Sequence, residues 1–402
     1  MMTEKLYEAD TLMQECTAVV QTCEPLNKGY AVVLDRTCLF AEGGGQLSDK
    51  GYLETGDGAR IPVSHVSVQQ GRILHHCQKS LPIGTAVCVH LDWDVRLDRM
   101  QQHYGEHMLA YSFWKLFGAN NIGFHMSEHM VAINLDQEMT AEQVQAAELY
   151  ANQLIWQDRK FHAAYMTQDE ARKLDLRKRN DHIQGLVRIV SIDGADACMC
   201  CGTQPPSTGV IGIIKIKRVE KIKEGSRVEF LSGRRAFEDI GRIMEAASQG
   251  SNLLSVKEEK LPDGIRKLKE EILAVREDLR HKSWQILQPD IDQILARQKC
   301  TSQGQILLFQ VTDRYDHGLA KMLLKRLMEE ENALVVIMYA YENKLYYMIG
   351  SAQDAKADCR PYIKIVNATF NGKGGGKPDL CQGSAALSDD WQEKANQFIG
   401  EM

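Results

Sequence analysis

Met100-Gln101-Gln102-His103-Tyr104-Gly105-Glu106-His107-Met108 marks the point where the chain changes character. Before it, short β-type runs such as Thr17-Ala18-Val19-Val20, Tyr30-Ala31-Val32-Val33-Leu34 and Ile73-Leu74-His75-His76 are separated by turn sequences such as Gly56-Asp57-Gly58. A small antiparallel sheet or barrel is expected over residues 1–92. Over residues 96–117 bulky and apolar side chains recur at Met100, His107-Met108, Ala110-Tyr111 and Trp114 without a proline, which predicts a helix of about six turns. Helical spacing puts His103 and His107 on one face, where two imidazoles can converge on one metal ion. The plainer use of that spacing is a pair of partly exposed helix histidines.

Downstream, Thr140 with Glu142 behind it predicts the start of a second helix reaching about residue 155. The runs Val187-Arg188-Ile189-Val190-Ser191-Ile192 and Val210-Ile211-Gly212-Ile213-Ile214-Lys215-Ile216 read as strands flanking Cys198-Met199-Cys200-Cys201-Gly202-Thr203-Gln204. Thiolates are strong zinc ligands, so this loop is a candidate second half of a metal site. Three buried thiols beside a turn is the alternative. Upstream, Glu42-Gly43-Gly44-Gly45-Gln46-Leu47-Ser48-Asp49-Lys50-Gly51 follows a strand. Its glycines allow positive φ and close backbone approach, which suits either a phosphate or ribose cradle or a tight turn. Residues 93–235 are read as one α/β domain holding the metal site.

Residues 236–298 are expected to form a helical hairpin. Phe237, Ile240, Met244 and Ala247 follow a 3-4 spacing, as do Ile265, Leu268, Ile272, Val275 and Leu279, with Pro289 as the expected stop. Residues 299–402 alternate strand and helix as a small α/β domain carrying Gly372-Lys373-Gly374-Gly375-Gly376-Lys377-Pro378. The fold class is therefore α+β: a barrel, an α/β metal-binding domain, a helical hairpin and a C-terminal α/β domain.

The charge balance is 48 basic against 54 acidic residues, a formal −6, which excludes a uniformly basic nucleic-acid binder. Contact with nucleic acid falls to local patches: Arg172-Lys173 with Arg177-Lys178-Arg179, and a run from Lys215 through Lys217, Arg218, Lys221 and Lys223 to Arg227. No export signal or membrane-length apolar run is seen, and eleven cysteines without an export signal read as thiols in a cytosolic protein.

Taken in order, Asp35-Arg36-Thr37, Gly43-Gly44-Gly45-Gln46, Met100-Gln101-Gln102-His103 to His107, Cys200-Cys201-Gly202-Thr203 and Thr208-Gly209-Val210 resemble the alanyl-tRNA editing family, the free-standing relatives of the editing domain of alanyl-tRNA synthetase. The segment Gly374-Gly375-Gly376-Lys377-Pro378-Asp379-Leu380 resembles the DHH-associated domain at the end of that synthetase. The resemblance implies hydrolysis in trans of the ester joining serine, or glycine, to the transfer RNA for alanine. It implies one zinc held by His103, His107 and Cys200. The family's fourth ligand is a histidine; here the position is Gln204, so the site is left to use Gln204, water or a neighbouring cysteine such as Cys198. Tyr104, Leu47 and His129 are further departures.

On this reading Thr37 and Gln46 contact the seryl hydroxyl and the ester end, and Glu106 acts beside the ligands. Gly43, Gly44 and Gly45 with Lys377 bind substrate. The partner is the acceptor end of the transfer RNA. The hairpin or the C-terminal domain either holds the RNA body or makes a homodimer. Two other readings stay open: a homologue that binds transfer RNA without hydrolysing it, and a metallopeptidase, because His103-x-x-Glu106-His107 also spells an H-x-x-E-H pattern.

Overall fold

The computed structural model describes residues 2–180 and 185–402. The chain divides after Gly250 into two compact units.

In the first unit, strands Glu15–Pro25, Tyr30–Leu34, Gly51–Thr55, Arg60–Gln69, Arg72–Cys77 and Ala86–Leu91 close into a barrel. Alternate side chains fill it, among them Val20, Val32, Leu34, Leu53, Val63 and Val89. The helix Trp93–Phe117 leaves the barrel directly, capped by Asp92, whose carboxylate accepts from the Val95 N–H at 3.3 Å. Gly118 ends it with φ 68.

Arg96, in the first turns of that helix, is fully buried. Its Nε donates to Asp49 at 2.9 Å, and its terminal nitrogens donate to the carbonyls of Thr11 and Cys38 at 2.7 Å each. This one side chain therefore locks the helix to the barrel and to the end of the glycine loop.

The helix packs on a four-stranded antiparallel sheet of Ile214–Ile222, Gly225–Ser232, Val131–Leu135 and Asn121–Met126. Contact is close because Gly105 lies directly against Ser232, where any Cβ would collide. The helix Ala141–Trp156 starts in a capping box between Thr140 and Gln143 and covers the same core. A second sheet, Phe161–Thr167, Leu186–Ile192 and Ala197–Met199, carries the cysteine segment.

The strand expected at residues 210–216 starts late. Thr208–Ile211 is a 3-10 turn, and the strand begins at Ile214. Gly212 at φ 82 breaks the extended run, and the Gly209 N–H is held by Asp158 at 3.1 Å.

The expected stop at Pro289 is corrected more strongly. Helices run over Gly233–Leu254 and Leu261–Ala296, and the second continues through Pro289. Leu287, Ile291 and Ile294 on either side of the proline are buried with Leu308, Leu323 and Val335, and this packing outweighs the lost backbone bond. Phe237 on the first of these helices is 75% exposed, and Val275 and Leu279 on the second are 67% and 64% exposed.

In the second unit a six-stranded sheet runs Lys299–Cys300, Ile306–Thr312, Ala333–Tyr341, Lys344–Ser351, Leu380–Ala386 and Lys373–Lys377. Ile306–Thr312 and Ala333–Tyr341 pair in parallel. Ala333–Tyr341 is buried on both faces by separate cores, as its unbroken apolar sequence requires. The glycine run forms the edge strand Lys373–Lys377. No helix among the described residues is long and apolar enough to cross a membrane.

Candidate metal centre and its cavity

His103 and His107 project from one face of the helix Trp93–Phe117, each at most 3% exposed. The Gln46 Oε1 lies 2.9 Å from His103 Nδ1 and also accepts from the Thr203 N–H at 3.2 Å. Its Nε2 donates to the Thr203 hydroxyl at 2.8 Å. These bonds fix the amide, so His103 carries its proton on Nδ1 and turns the Nε2 lone pair toward Cys200 Sγ, 3.6 Å away. His107 turns Nδ1 toward Asp196 Oδ2 and Cys198 Sγ, both at 3.4 Å, and Nε2 toward Glu106 Oε2 at 4.0 Å.

The ligand atoms of His103, His107 and Cys200 all lie within 4.8 Å of one another, and His107, Asp196 and Cys198 form a second such group. The first group fits a four-coordinate ion. It offers two imidazole nitrogens and a thiolate, and each ring is oriented from behind by an acceptor. Burial pushes the Cys200 thiol up, but the imidazoles of His103 and His107 outweigh it and hold the group well below its ordinary value. Burial pushes Cys198 up and wins there, so Cys198 stays a thiol. Burial opposes a charge on His107, yet the Cys200 thiolate and the bond that His107 makes to the Asp196 carboxylate raise it. Burial would raise Asp196, but Arg177, donating at 2.8 and 2.7 Å, holds it below the carboxylate range.

A cavity of about 300 Å³ opens on this group, walled by Gly44, Glu106, Phe124, Arg188 and Cys201, with Lys178 and Arg179 also on its lining. Phe124 stacks on His103 with ring centres 5.6 Å apart. The glycine loop comes this close because it lacks side chains. A Cβ on Gly44 would sit 2.5 Å from Cys201 Sγ, and one on Gly45 2.6 Å from Phe124. Gly44 and Gly45 also take φ of 60 and 85. Gly43 pairs with Gln46 across the turn.

The structure thus gathers His103, His107, Cys200, Glu106 and the glycine loop. It does not bring the other expected residues to the cavity wall. Gln204 stands outside the ligand group, its Oε1 taken by the Arg188 guanidinium. Thr37 is fully buried on the short strand Arg36–Thr37, against the barrel strand Arg72–Cys77. His75 Nδ1 donates to the Val32 carbonyl at 3.0 Å, so its Nε2 must accept, and the Thr37 hydroxyl is its donor at 2.9 Å. The same hydroxyl accepts from the Leu39 N–H at 3.1 Å. Gln46 stands behind His103 as the residue that positions it. Glu106 Oε1 accepts from the Asn121 amide at 2.5 Å. Lys377 lies on the exposed edge strand of the second unit.

The two basic stretches separate. Lys215, Lys217, Arg218 and Lys221 pair with Glu148, Asp239, Glu220 and Glu138 at 2.5–2.7 Å, which neutralises that face. Arg177 is consumed by Asp196, whereas Lys178 and Arg179 reach the cavity. Sequence reasoning missed Asp196, Arg188 and Phe124 as site residues. Asp196 left one signal, its i, i+2 spacing before Cys198 on an extended segment. A Cβ on Gly202 would lie 2.5 Å from the His103 ring.

Three sequence families match the chain: "tRNA synthetases class II (A)" over residues 5–95, "Threonyl and Alanyl tRNA synthetase second additional domain" over 187–228, and the DHHA1 domain over 303–401. Two of the three descriptions name transfer-RNA synthetases. An alanine–tRNA ligase of Archaeoglobus fulgidus is 29% identical over 411 residues, 99% of this chain; the chain spans only 44% of that ligase. The alanyl-tRNA editing protein Aarsd1 of Rattus norvegicus is 32% identical over 65% of this chain and 67% of its own length. The alanyl-tRNA editing protein AlaX-L of Pyrococcus horikoshii is 26% identical over 95% of this chain and 94% of its own. The chain belongs to the alanyl-tRNA editing protein family.

Proposed function

We propose that this protein hydrolyses, in trans, the ester of transfer RNA for alanine mischarged with serine or glycine. The observation that carries the reading is the His103–His107–Cys200 group at the base of a cavity whose other lining residues include Lys178, Arg179 and Arg188. An ion held by these three side chains, zinc by its donor set, would polarise or orient the ester end of the substrate.

The chain's own groups do the rest. Gln46 keeps His103 in the tautomer that leaves Nε2 free, and the Asp196–Arg177 pair does the same for the far side of His107. Glu106 is the carboxylate on the cavity lining and is placed to take a proton from an attacking water. Phe124 and the bare backbone of Gly44 exclude bulk water from one wall. Lys178 and Arg179 are placed for phosphates of the acceptor end. Serine is told from alanine by a hydrogen bond that only its hydroxyl can make. Thr37 has already given its proton to His75, so we assign that bond to the cavity wall rather than to Thr37.

The exposed stripe of the helix Leu261–Ala296 supports a homodimer. Ile265, Leu268, Ile272, Val275 and Leu279 keep a heptad seam, with Lys269 and Arg276 on one flank and Glu271 and Asp278 on the other. That charge arrangement is complementary between parallel copies and repulsive between antiparallel ones. Eleven unpaired thiols accord with action in the cytosol.

The direct test is deacylation of seryl-, glycyl- and alanyl-tRNA for alanine by the purified chain. Release of serine or glycine with alanine spared, abolished in His103→Ala, is the expected result. A binding-only homologue is favoured by one observation, the engagement of Gln204 with Arg188, which leaves three donors instead of four. That reading gains if the RNA is bound and none of the three esters is cleaved.

A further inference from the structure

At the start of the helix Trp93–Phe117 lies a second cavity, of about 490 Å³, lined largely by charged side chains. Most of them are matched. Lys50 pairs with Glu128 at 2.8 Å, Arg235 grips Asp98 at 2.7 and 2.5 Å, Arg234 stands 3.4 Å from Asp94, and Asp92 caps the helix.

Arg99 is the exception. It is only 5% exposed, its Nη1 is buried with no partner, and no side-chain hydrogen bond or ion pair reaches it among the described residues. Burial drags its pKa below the ordinary arginine value, and Asp49, Asp98 and Glu128 offset this only in part. Arg96, three residues earlier and just as buried, is saturated by Asp49 and two carbonyls. A guanidinium nitrogen held out of water without a partner is strongly unfavourable for the free protein. Its planar donor fork matches a phosphate oxyanion.

We infer that Arg99 is the receptor of a phosphate group and, resting on the proposed function, that this phosphate belongs to the backbone of the RNA near its acceptor end. Arg99 precedes His103 by four helical residues, about 6 Å of rise. The loop of residues 42–51 borders both cavities, through Gly44 at the metal centre and Lys50 here. On this proposal a strand whose last residue enters the first cavity runs past the second. Glu238 also lines the site, with no ion pair among the described residues, and opposes the anion.

The test uses the full chain with Arg99→Met, Arg99→Lys and Glu238→Gln. Binding of uncharged tRNA for alanine is measured against salt, and melting is followed with and without inorganic phosphate. Hydrolysis of seryl-tRNA is compared with that of seryl-adenosine, which has no phosphate. In Arg99→Met the salt slope of log K should fall by about one and tRNA should bind roughly tenfold more weakly. The melting temperature should hold or rise, and seryl-adenosine turnover should not change. Arg99→Lys should recover part of the binding, and Glu238→Gln should tighten it.

Protection of the parent but not Arg99→Met by inorganic phosphate, with the tRNA slope unmoved, would keep the phosphate site and assign it to free phosphate. An unmoved slope without such protection overturns the inference. So does a drop in melting temperature in both Arg99→Met and Glu238→Gln, which would mark an ordinary ion pair. If neither ester is cleaved yet the slope falls, the phosphate site stands and the hydrolytic reading fails alone.

Discussion

Gly43-Gly44-Gly45 and Gly374-Gly375-Gly376 are the same tripeptide used in two ways. The first sits in a turn, takes positive φ at Gly44 and Gly45, and brings bare backbone against Cys201 and Phe124 at the metal centre. The second is an extended edge strand paired with Leu380–Ala386, exposed along its length. There glycine is needed for strand-to-strand crowding: a Cβ on Gly374 would lie 2.6 Å from the Cα of Gly383, while one on Gly375 would meet nothing. The lesson is that a glycine triplet asks for proximity, and the neighbouring residues decide to what.

The largest contrast is expected at Gly45. Gly45→Ala combines a strained φ with a clash against the Phe124 ring that stacks on His103. We expect about 3–4 kcal/mol of destabilisation and a loss of deacylation of about 100-fold or more, read by chemical denaturation and single-turnover hydrolysis.

Next comes the barrel that carries the first triplet. Burial lowers His75 from 6.5 to about 4. Between those values the unfolded chain binds one more proton than the folded one, so stability falls as pH drops from 6.5 to 4 and this loss stops below 4. The full effect is about 3 kcal/mol. Denaturant midpoints at pH 7, 5.5 and 4, with exchange protection read in the barrel strands, should show it, and His75→Gln should flatten the profile.

Gly376→Ala, whose Cβ would press on the Leu380 carbonyl, should loosen the edge strand by about 1–2 kcal/mol with no change in turnover of a minimal seryl ester. Smallest of all, Gly375→Ala should stay within about 0.5 kcal/mol of the parent. If Gly375→Ala instead abolished hydrolysis, the distinction between the two triplets would be lost.

Much of this was readable in advance. The strand runs before residue 92, the helix across His103 and His107 and a cysteine segment near residue 200 follow from local pattern and ligand chemistry, the choice of Cys200 follows from the family resemblance, and the structure has each of those elements. What escaped depends on partners distant in sequence. Thr37 reads as a polar group beside the glycine loop, but His75, 38 residues away, claims its proton. Gln204 stands where a fourth ligand was expected, but Arg188 claims its oxygen. Pro289 reads as a stop, yet the buried residues around it carry the helix on to Ala296. The run Lys215–Lys221 reads as a phosphate surface until its acidic partners on other elements are seen.

The most direct measurement is the metal content and the seryl-tRNA deacylation rate of the same preparations of parent, Cys200→Ser and Cys198→Ser. The account expects one ion per chain and hydrolysis in the parent, both lost in Cys200→Ser and both retained in Cys198→Ser. Full hydrolysis by a folded Cys200→Ser protein, or by a parent that holds no ion, would contradict it.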